Sequence, residues 1–212
     1  MIIEQLLVTS MSVFCYLIGD EKSREAVLID PAGDYDKIFE KTNSYGLTIK
    51  WIINTHGHFD HTSGNAYIIK KTNAELLIHK GDKNKLKGKI NKILSLIVGG
   101  QASPEPMKYL NDGDEIAIGD IKLRVIYTPG HTKGSICLYI NGHLFTGDTL
   151  FTEGMGRIRL LGNFYDQIID SIKNKLLVLP DETIIWPGHN YGEHRTSTIG
   201  EQKKLYLKES HQ

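Results

Sequence analysis

The densest chemistry in the chain lies in His56-Gly57-His58-Phe59-Asp60-His61. Three imidazoles and one carboxylate fall within six residues, directly after the apolar run Trp51-Ile52-Ile53-Asn54. Imidazole nitrogens and carboxylate oxygens are the donors that divalent zinc, iron or manganese takes. If the strand's alternation continues, His56 and His58 point to one side and grip one ion together. Asp60 and His61 come as the chain turns away, where they face a second ion.

The same pattern recurs downstream. Pro129-Gly130-His131 and Pro187-Gly188-His189 are two copies of one tripeptide, each after a strand-like run, at 121–127 and 183–186. A third run, His143-Leu144-Phe145-Thr146, ends in Gly147-Asp148. A single Pro-Gly-His reads as an ordinary turn with a solvated imidazole. Four strand ends that each deliver a donor beside a glycine read as a constellation. Glycine lets the backbone bend sharply and approach closely, which aims the next side chain inward.

Grouped by position, His56, His58 and His131 give three nitrogens for one ion. Asp60, His61 and His189 serve a second, and Asp148 can bridge both. This stoichiometry suits two divalent ions sharing a hydroxide. Bound zinc lowers the pKa of water from about 15.7 to about 7, so a nucleophile exists at neutral pH without a serine or cysteine. Asp60 is also placed to accept or return a proton, as a catalytic group. No Gly-x-Ser-x-Gly elbow offers a competing nucleophile.

The elements that must position these residues follow a two-part rhythm. Strands are predicted at 2–8, 13–19 and 25–30, closed by Asp30-Pro31-Ala32-Gly33, and a helix opens at Asp34 and ends near Gly46. The strand at 50–54 leads into the histidine segment, followed by a helix from about Ser63 to Lys71 and a strand at 75–79. From about 113 the rhythm restarts, with strands near 115–118, 121–127, 135–140 and 143–147, a helix near 165–176, a strand at 183–186 and a helix near 198–208. Two runs of strands, each followed by helices, predict an α/β fold of two sheets packed face to face with helices outside.

Residues 80–108 interrupt that rhythm. Lys80, Lys83, Lys85, Lys87, Lys89 and Lys92 are opposed only by Asp82, and Ile90, Ile93, Leu94, Leu96, Ile97 and Val98 follow. One reading is an amphipathic helix with a solvated lysine face. The other is a flap over the active site whose lysines draw in an anionic substrate.

The chain as a whole fits one domain over 1–212 with a sizeable core. Lys and Arg total 25, as do Asp and Glu, so the zero net charge gives no footprint for nucleic acid. Cys15 and Cys137 lie in separate apolar runs and read as buried, reduced thiols. Met1-Ile2-Ile3-Glu4-Gln5 carries no basic leader, and no apolar stretch reaches membrane-spanning length, so no membrane association and a cytoplasmic location are expected.

Thr55-His56-Gly57-His58-Phe59-Asp60-His61, Gly130-His131-Thr132, Phe145-Thr146-Gly147-Asp148-Thr149-Leu150-Phe151 and Pro187-Gly188-His189 together resemble the metallo-β-lactamase superfamily. The match runs in order through residues 55–189 and fills all seven ligand positions: His56, His58, Asp60, His61, His131, Asp148 and His189. The resemblance implies a four-layer αββα sandwich of two mixed sheets, with a binuclear site at one edge. It also implies two divalent ions, zinc first, with iron or manganese also fitting.

Within the superfamily the chain looks like the glyoxalase II-related branch, whose members hydrolyse S-acyl-glutathione thioesters. Asp148 stands where many true β-lactamases carry a cysteine or lack the bridge, which argues against lactam hydrolysis. Gly154-Met155-Gly156-Arg157 supplies that branch's basic substrate anchor, with Arg157 in the basic position. Only residues 190–212 follow His189, too few for the branch's helical glutathione-holding domain. The expected activity is therefore a metal-dependent thioesterase acting on a small anionic thioester or ester.

Pro187-Gly188-His189-Asn190-Tyr191 followed by Ser197-Thr198-Ile199-Gly200-Glu201 also looks like the persulfide dioxygenases. Those enzymes use a single iron held by the counterparts of His56, His131 and Asp148. Their Gly-Arg-Thr-Asp segment is not matched, because Gly156-Arg157 continues as Ile158-Arg159. An iron-dependent glutathione persulfide dioxygenase is the alternative, a lactonase a lesser one, and a non-catalytic metal-binding protein a third. Tyr191 is a candidate hydrogen-bond donor to substrate, with packing the competing role. His79 reads as a surface or near-site imidazole, Trp186 as core, and His143, His194 and His211 receive no role.

Overall fold

The computed structural model describes residues 1–155 and 164–209. Six strands form the first sheet in chain order: β1 (Ile2–Val8), β2 (Val13–Gly19), β3 (Glu25–Ile29), β4 (Thr48–Asn54), β5 (Glu75–His79) and β6 (Lys108–Leu110). The first three are an antiparallel meander, and β3 to β6 run parallel. The second sheet starts from β7 (Glu115–Ile118), β8 (Ile121–Tyr127), β9 (Ile136–Ile140) and β10 (His143–Gly147). A separate short pair follows, β11 (Leu150–Phe151) and β12 (Gly154–Met155). Then β13 (Ile184–Pro187) joins the second sheet parallel to β10, and β14 (Ser197–Thr198) closes its edge.

Alternation along β2 shows how the layers arise. Every residue from Val13 to Gly19 is buried, so both faces are covered. Val13, Cys15 and Leu17 pack toward helices α1 (Tyr35–Ser44), α3 (Asn65–Thr72) and α4 (Lys83–Lys87) through Ile38, Ile68 and Leu86. Phe14, Tyr16 and Ile18 point the other way, against Leu123, Val125, Leu138 and Phe145 of the second sheet. That sheet's outer face carries Cys137, Leu144 and Ile185. They meet Ile168 of α6 (Phe164–Ser171), Ile172 and Leu176 of the π-type turn after it, and Ile199 of α7 (Ile199–Glu209). The result is the four-layer αββα sandwich. Each fully buried Ile, Leu or Phe contributes roughly 1.5–3 kcal/mol, so the inter-sheet layer and the two helix-facing layers together hold the sandwich.

Tyr16 links that layer to the site. Its ring packs between Phe145 and Trp186, and its hydroxyl donates to the Pro187 carbonyl at the end of β13. The start of β2 and the turn before it hold the same loop, through Phe14 N–H to Gly188 O at 2.8 Å and Asn190 N–H to Ser12 O at 2.9 Å.

Three expectations need correction. β6 was not anticipated, because Lys108-Tyr109-Leu110 is too short to show a period, and only pairing with β5 makes it a strand. The helix expected from Ser63 is two pieces, α2 (Phe59–Thr62) and α3, so Asp60 and His61 sit on a helical turn. The break falls at Gly64, where a Cβ would lie 2.0 Å from the Pro31 carbonyl oxygen. Residues 83–97 do form helices, α4 and α5 (Lys89–Ile97). Lys83, Lys87, Lys89 and Lys92 are solvated as expected, but α5 buries only Ser95 and leaves Ile90, Ile93, Leu96 and Ile97 exposed as well. Cys15 and Cys137 are buried and unbridged, in different layers, and burial pushes the Cys137 thiol up to about 12. No helix among the described residues is long and apolar enough to cross a membrane.

Candidate metal centre

The donors come from the loops after four strands. His56, His58, Asp60 and His61 follow β4; His131 follows β8, Asp148 follows β10 and His189 follows β13. His56, His58 and His131 each offer one atom such that all lie within 4.8 Å of one another, and so do Asp60, His61 and His189. His131 Nε2 is 3.0 Å from His58 Nδ1, and His61 Nε2 is 3.2 Å from His189 Nε2. Asp148 spans the two groups. Its Oδ1 is 3.3 Å from His61 Nε2, and its Oδ2 is 3.4 Å from both His131 Nε2 and His189 Nε2.

Whether these residues fit a pair of ions is answered by the buried atoms. His56 Nε2 and Asp148 Oδ1 are buried and have no hydrogen-bond partner. Orphaning two polar atoms in one spot costs about 1–3 kcal/mol each unless a cation satisfies them. The donor set is imidazole and carboxylate, and the ring nitrogens converge. The residues fit two divalent ions, one per cluster, with Asp148 between them.

Asp30 is the main residue that the sequence did not disclose. Its carboxylate, buried at the end of β3, accepts from Thr55 N–H at 2.8 Å, Thr55 Oγ1–H at 2.6 Å and His61 Nδ1–H at 2.9 Å. A carboxylate only accepts, so the Thr55 proton goes to Asp30 and Thr55 Oγ1 accepts from His56 Nδ1–H, 3.1 Å away. Both rings thus carry hydrogen on Nδ1, which leaves Nε2 as the nitrogen that would meet an ion. One carboxylate sets the tautomer of a donor in each cluster. Ser12 O does the same for His189, accepting at Nδ1 from 3.2 Å. Asp30 sits at φ 51°, a strained conformation for a non-glycine residue that these bonds hold in place. The available signal was a carboxylate ending a strand before Pro31, which the sequence reading took only as a turn.

Asp82 performs the matching task for the backbone. It follows His79 in a turn at 80–82 and accepts from Gly57 N–H at 2.7 Å, Thr132 Oγ1–H at 2.6 Å and Gly134 N–H at 3.0 Å. Buried, it ties the loop bearing His56 and His58 to the loop bearing His131. His79 is neither surface nor ligand. It is buried, stacks on Tyr127 and accepts from Gly81 N–H, which shapes the turn carrying Asp82. Gly188 gives the closest approach at the centre: a Cβ there would meet Asp148 Oδ1 at 2.4 Å.

Without ions, the site's charges sort themselves. Burial, reinforced by neighbouring His61, holds His56 well below the ordinary imidazole range. Burial, His131 and Lys85 bring His58 down to about 3. Burial also opposes charge on His61, but Asp148 and Asp30 outweigh it and raise its pKa well above the usual value. Asp148 is pressed upward by burial and more strongly downward by His61 and His189, and ends well below the carboxylate range. Metal-free, the centre therefore stores one compensating proton at His61 and keeps His56 and His58 neutral, ready to donate.

The remaining candidates are spread out. Tyr191, half exposed, stacks on the His189 ring with centroids 4.4 Å apart and contacts Phe151, so its observed role is packing against a candidate ligand. Arg157 and His211 lie outside the described residues. Lys85 approaches His58 Nε2 at 3.0 Å. Trp186 packs against the inter-sheet layer and donates to His143, and His194 is exposed.

A sequence model described as the Metallo-beta-lactamase superfamily matches residues 8–189. The chain belongs to that superfamily. It is similar to the Probable metallo-hydrolase YqgX of Bacillus subtilis, at 33% identity over 82% of each chain. It is also similar to the mitochondrial persulfide dioxygenase ETHE1 of Homo sapiens, at 30% identity over 96% of this chain and 74% of that one. Among solved structures, TTHA1623 in a di-iron-bound form superposes with a TM-score of 0.79 at 26% identity, over 95% of this chain and 97% of that one. Membership in the superfamily and the paired clusters together support a binuclear metal site, but not yet a particular metal. Of the two expected branches, the persulfide dioxygenases are represented by name among these relatives.

Proposed function

We propose that this chain is a two-ion hydrolase acting on the carbonyl of a thioester or ester. The observation that carries this reading is the second cluster: Asp60, His61 and His189 converge beside the first, with Asp148 between them. Bound there, the ions would lower the pKa of water and polarise the substrate carbonyl. The chain's own residues do the rest. His56, His58 and His131 would hold one ion, and Asp60, His61 and His189 the other. Asp30 and Ser12 keep the ring nitrogens aimed inward. Asp60 turns Oδ2 toward His189 Nε2, 3.6 Å away, and its side chain is only partly covered, so its other oxygen can take up and return a proton. Arg157 serves as the anchor for a substrate anion. Replacing it (R157A) is expected to raise KM about ten- to a hundredfold with kcat nearly unchanged, the mark of lost uniform binding. Zinc is the first metal to test.

A second reading, an iron-dependent glutathione persulfide dioxygenase, has specific support. A human relative named as a persulfide dioxygenase aligns with nearly the whole chain, and a similar solved structure is in a di-iron-bound form. These relatives support it better than they support thioester cleavage, which none of their names mentions. The deciding experiment is metal analysis of the purified protein, then turnover of an acyl-thioester panel beside oxygen consumption with glutathione persulfide. Oxygen uptake at one equivalent of iron, without thioester cleavage, would overturn the hydrolase reading.

A further inference from the structure

Helix α5 leaves most of its apolar side uncovered, although its lysines face solvent as in an ordinary amphipathic helix. Its buried residue is Ser95, whose hydroxyl donates to the Asn91 carbonyl. Ile90, Ile93, Leu96 and Ile97 are 74%, 58%, 65% and 72% exposed. Slack placement does not account for this. Gly100 follows α5 and lies so close to Ser63 that a Cβ would sit 2.5 Å from that side chain, and Gln101 N–H donates to the Ser63 carbonyl at 2.8 Å. The end of α5 is therefore pinned beside the turn that carries Asp60 and His61, with the apolar face outward. Contiguous exposed apolar surface of this kind ordinarily marks a binding site.

The inner end of that face opens onto the metal centre. A cleft of about 450 Å³ is lined by Ile90, Leu94, Phe59 and Lys85, with His58 and His131 as its floor. That volume falls within the roughly 300–1,000 Å³ of small-molecule sites. Because two candidate ligands form the floor, whatever fills the cleft is already beside the reacting centre. Lys85 places a positive charge on the same wall, complementary to the carboxylate that hydrolysis would leave.

Resting on the hydrolase reading above, we infer that the cleft between α5 and His58/His131 is the acyl subsite, and that the substrate's acyl group is an apolar one longer than acetyl. The acyl chain lies on Leu94 and Ile90, and Ile93 and Ile97 extend the track outward.

The test uses metal-loaded full-length protein and the straight-chain carboxylates from acetate to decanoate, with binding followed by calorimetry. The matching S-acyl thioesters are assayed for turnover in parallel. Affinity is expected to rise about two- to fourfold per methylene over the first several carbons. A double variant, I90S/L94S, should flatten that slope while binding acetate within twofold of the parent. Ile97→Ser, farther out, should alter only the longest chains. A flat series in the parent protein, or an unchanged slope in the double variant, overturns the inference. So does burial of α5 in a dimer that sedimentation detects and I90S dissolves, or tight binding of α5 to anionic phospholipid vesicles. A steep binding series without any thioester turnover would sink the hydrolase reading and leave the cleft's apolar preference standing. Turnover with a flat series would do the reverse.

Discussion

Replacing Asp30 by asparagine changes one atom and should disturb both ion sites. The carboxylate accepts from Thr55 N–H, Thr55 Oγ1–H and His61 Nδ1–H, at 2.8, 2.6 and 2.9 Å. An amide has one accepting oxygen, so in D30N one of these donors must face an NH₂ group. If the nitrogen takes the His61 side, His61 moves its hydrogen to Nε2 and loses the lone pair aimed at the second cluster. The His56–Thr55 relay is then reversed as well. If it takes the other side, the Thr55 N–H is orphaned in a buried position. Either arrangement costs about 1–3 kcal/mol. For a chain of this length that lowers the melting temperature by roughly 2–12 °C. Loss of an orienting partner typically weakens metal binding about ten- to a hundredfold. The second site should lose more than the first, because Asp30 touches His61 directly and His56 only through Thr55. Competition with a chromophoric chelator gives both affinities, and thermal melting of the metal-free protein gives stability. A folded D30N protein that holds both ions within twofold of the parent would refute the tautomer argument.

Other outcomes follow from the same geometry. Asp82→Asn should orphan Gly134 N–H or Gly57 N–H and loosen the first site more than the second, read as a lower first-ion affinity in the same chelator titration. Gly188→Ala should push Asp148 from its place between the clusters, since the new methyl would meet Oδ1 at 2.4 Å. Metal content per chain should drop, while the far-ultraviolet circular dichroism stays native. For the metal-free protein, stability should peak near pH 6.5. Below that pH, the unfolded chain protonates His56 and His58 while the native state keeps them neutral, so stability falls as pH drops toward the folded value of about 3 for His58. Above it, the raised His61 gives a contribution fully present below its unfolded value and lost as pH climbs through its folded one. Melting temperatures that rise steadily to pH 9 would contradict this, and metal-loaded protein should lack the alkaline decline.

The seven donors were legible because residue type and spacing alone mark them: His56 to His61 sit within one turn, and Pro-Gly-His recurs. The strands carrying them were legible through alternation, as in Val13 to Gly19. Asp30 and Asp82 were not, because a carboxylate becomes an orienting group only through partners that the fold brings to it. Thr55 is 25 residues from Asp30, and Gly134 is 52 from Asp82. The direction of α5 was also hidden. Its apolar period identifies a helix, but which face turns inward depends on the Gly100–Ser63 approach. Lys108 to Leu110 likewise become a strand only because β5 offers a free edge.

Each ion site draws from both sheets. The donors that close the first are 73 residues apart, His58 and His131, and those that close the second are 128 apart, His61 and His189. Loading therefore works as a crosslink that sews one half of the sandwich to the other, in the manner of a disulfide across a long loop. A ribosome adding about 5–20 residues per second finishes the first sheet well before His189 is made. Before then an ion can find only one such cluster among the described residues, Asp30, His56 and His61, whose donor atoms lie within 4.8 Å of one another, so neither paired site is complete until the second half folds onto the first. Loading of both sites therefore waits for the two halves to meet, and metal supply bears on how long the sandwich stays shut.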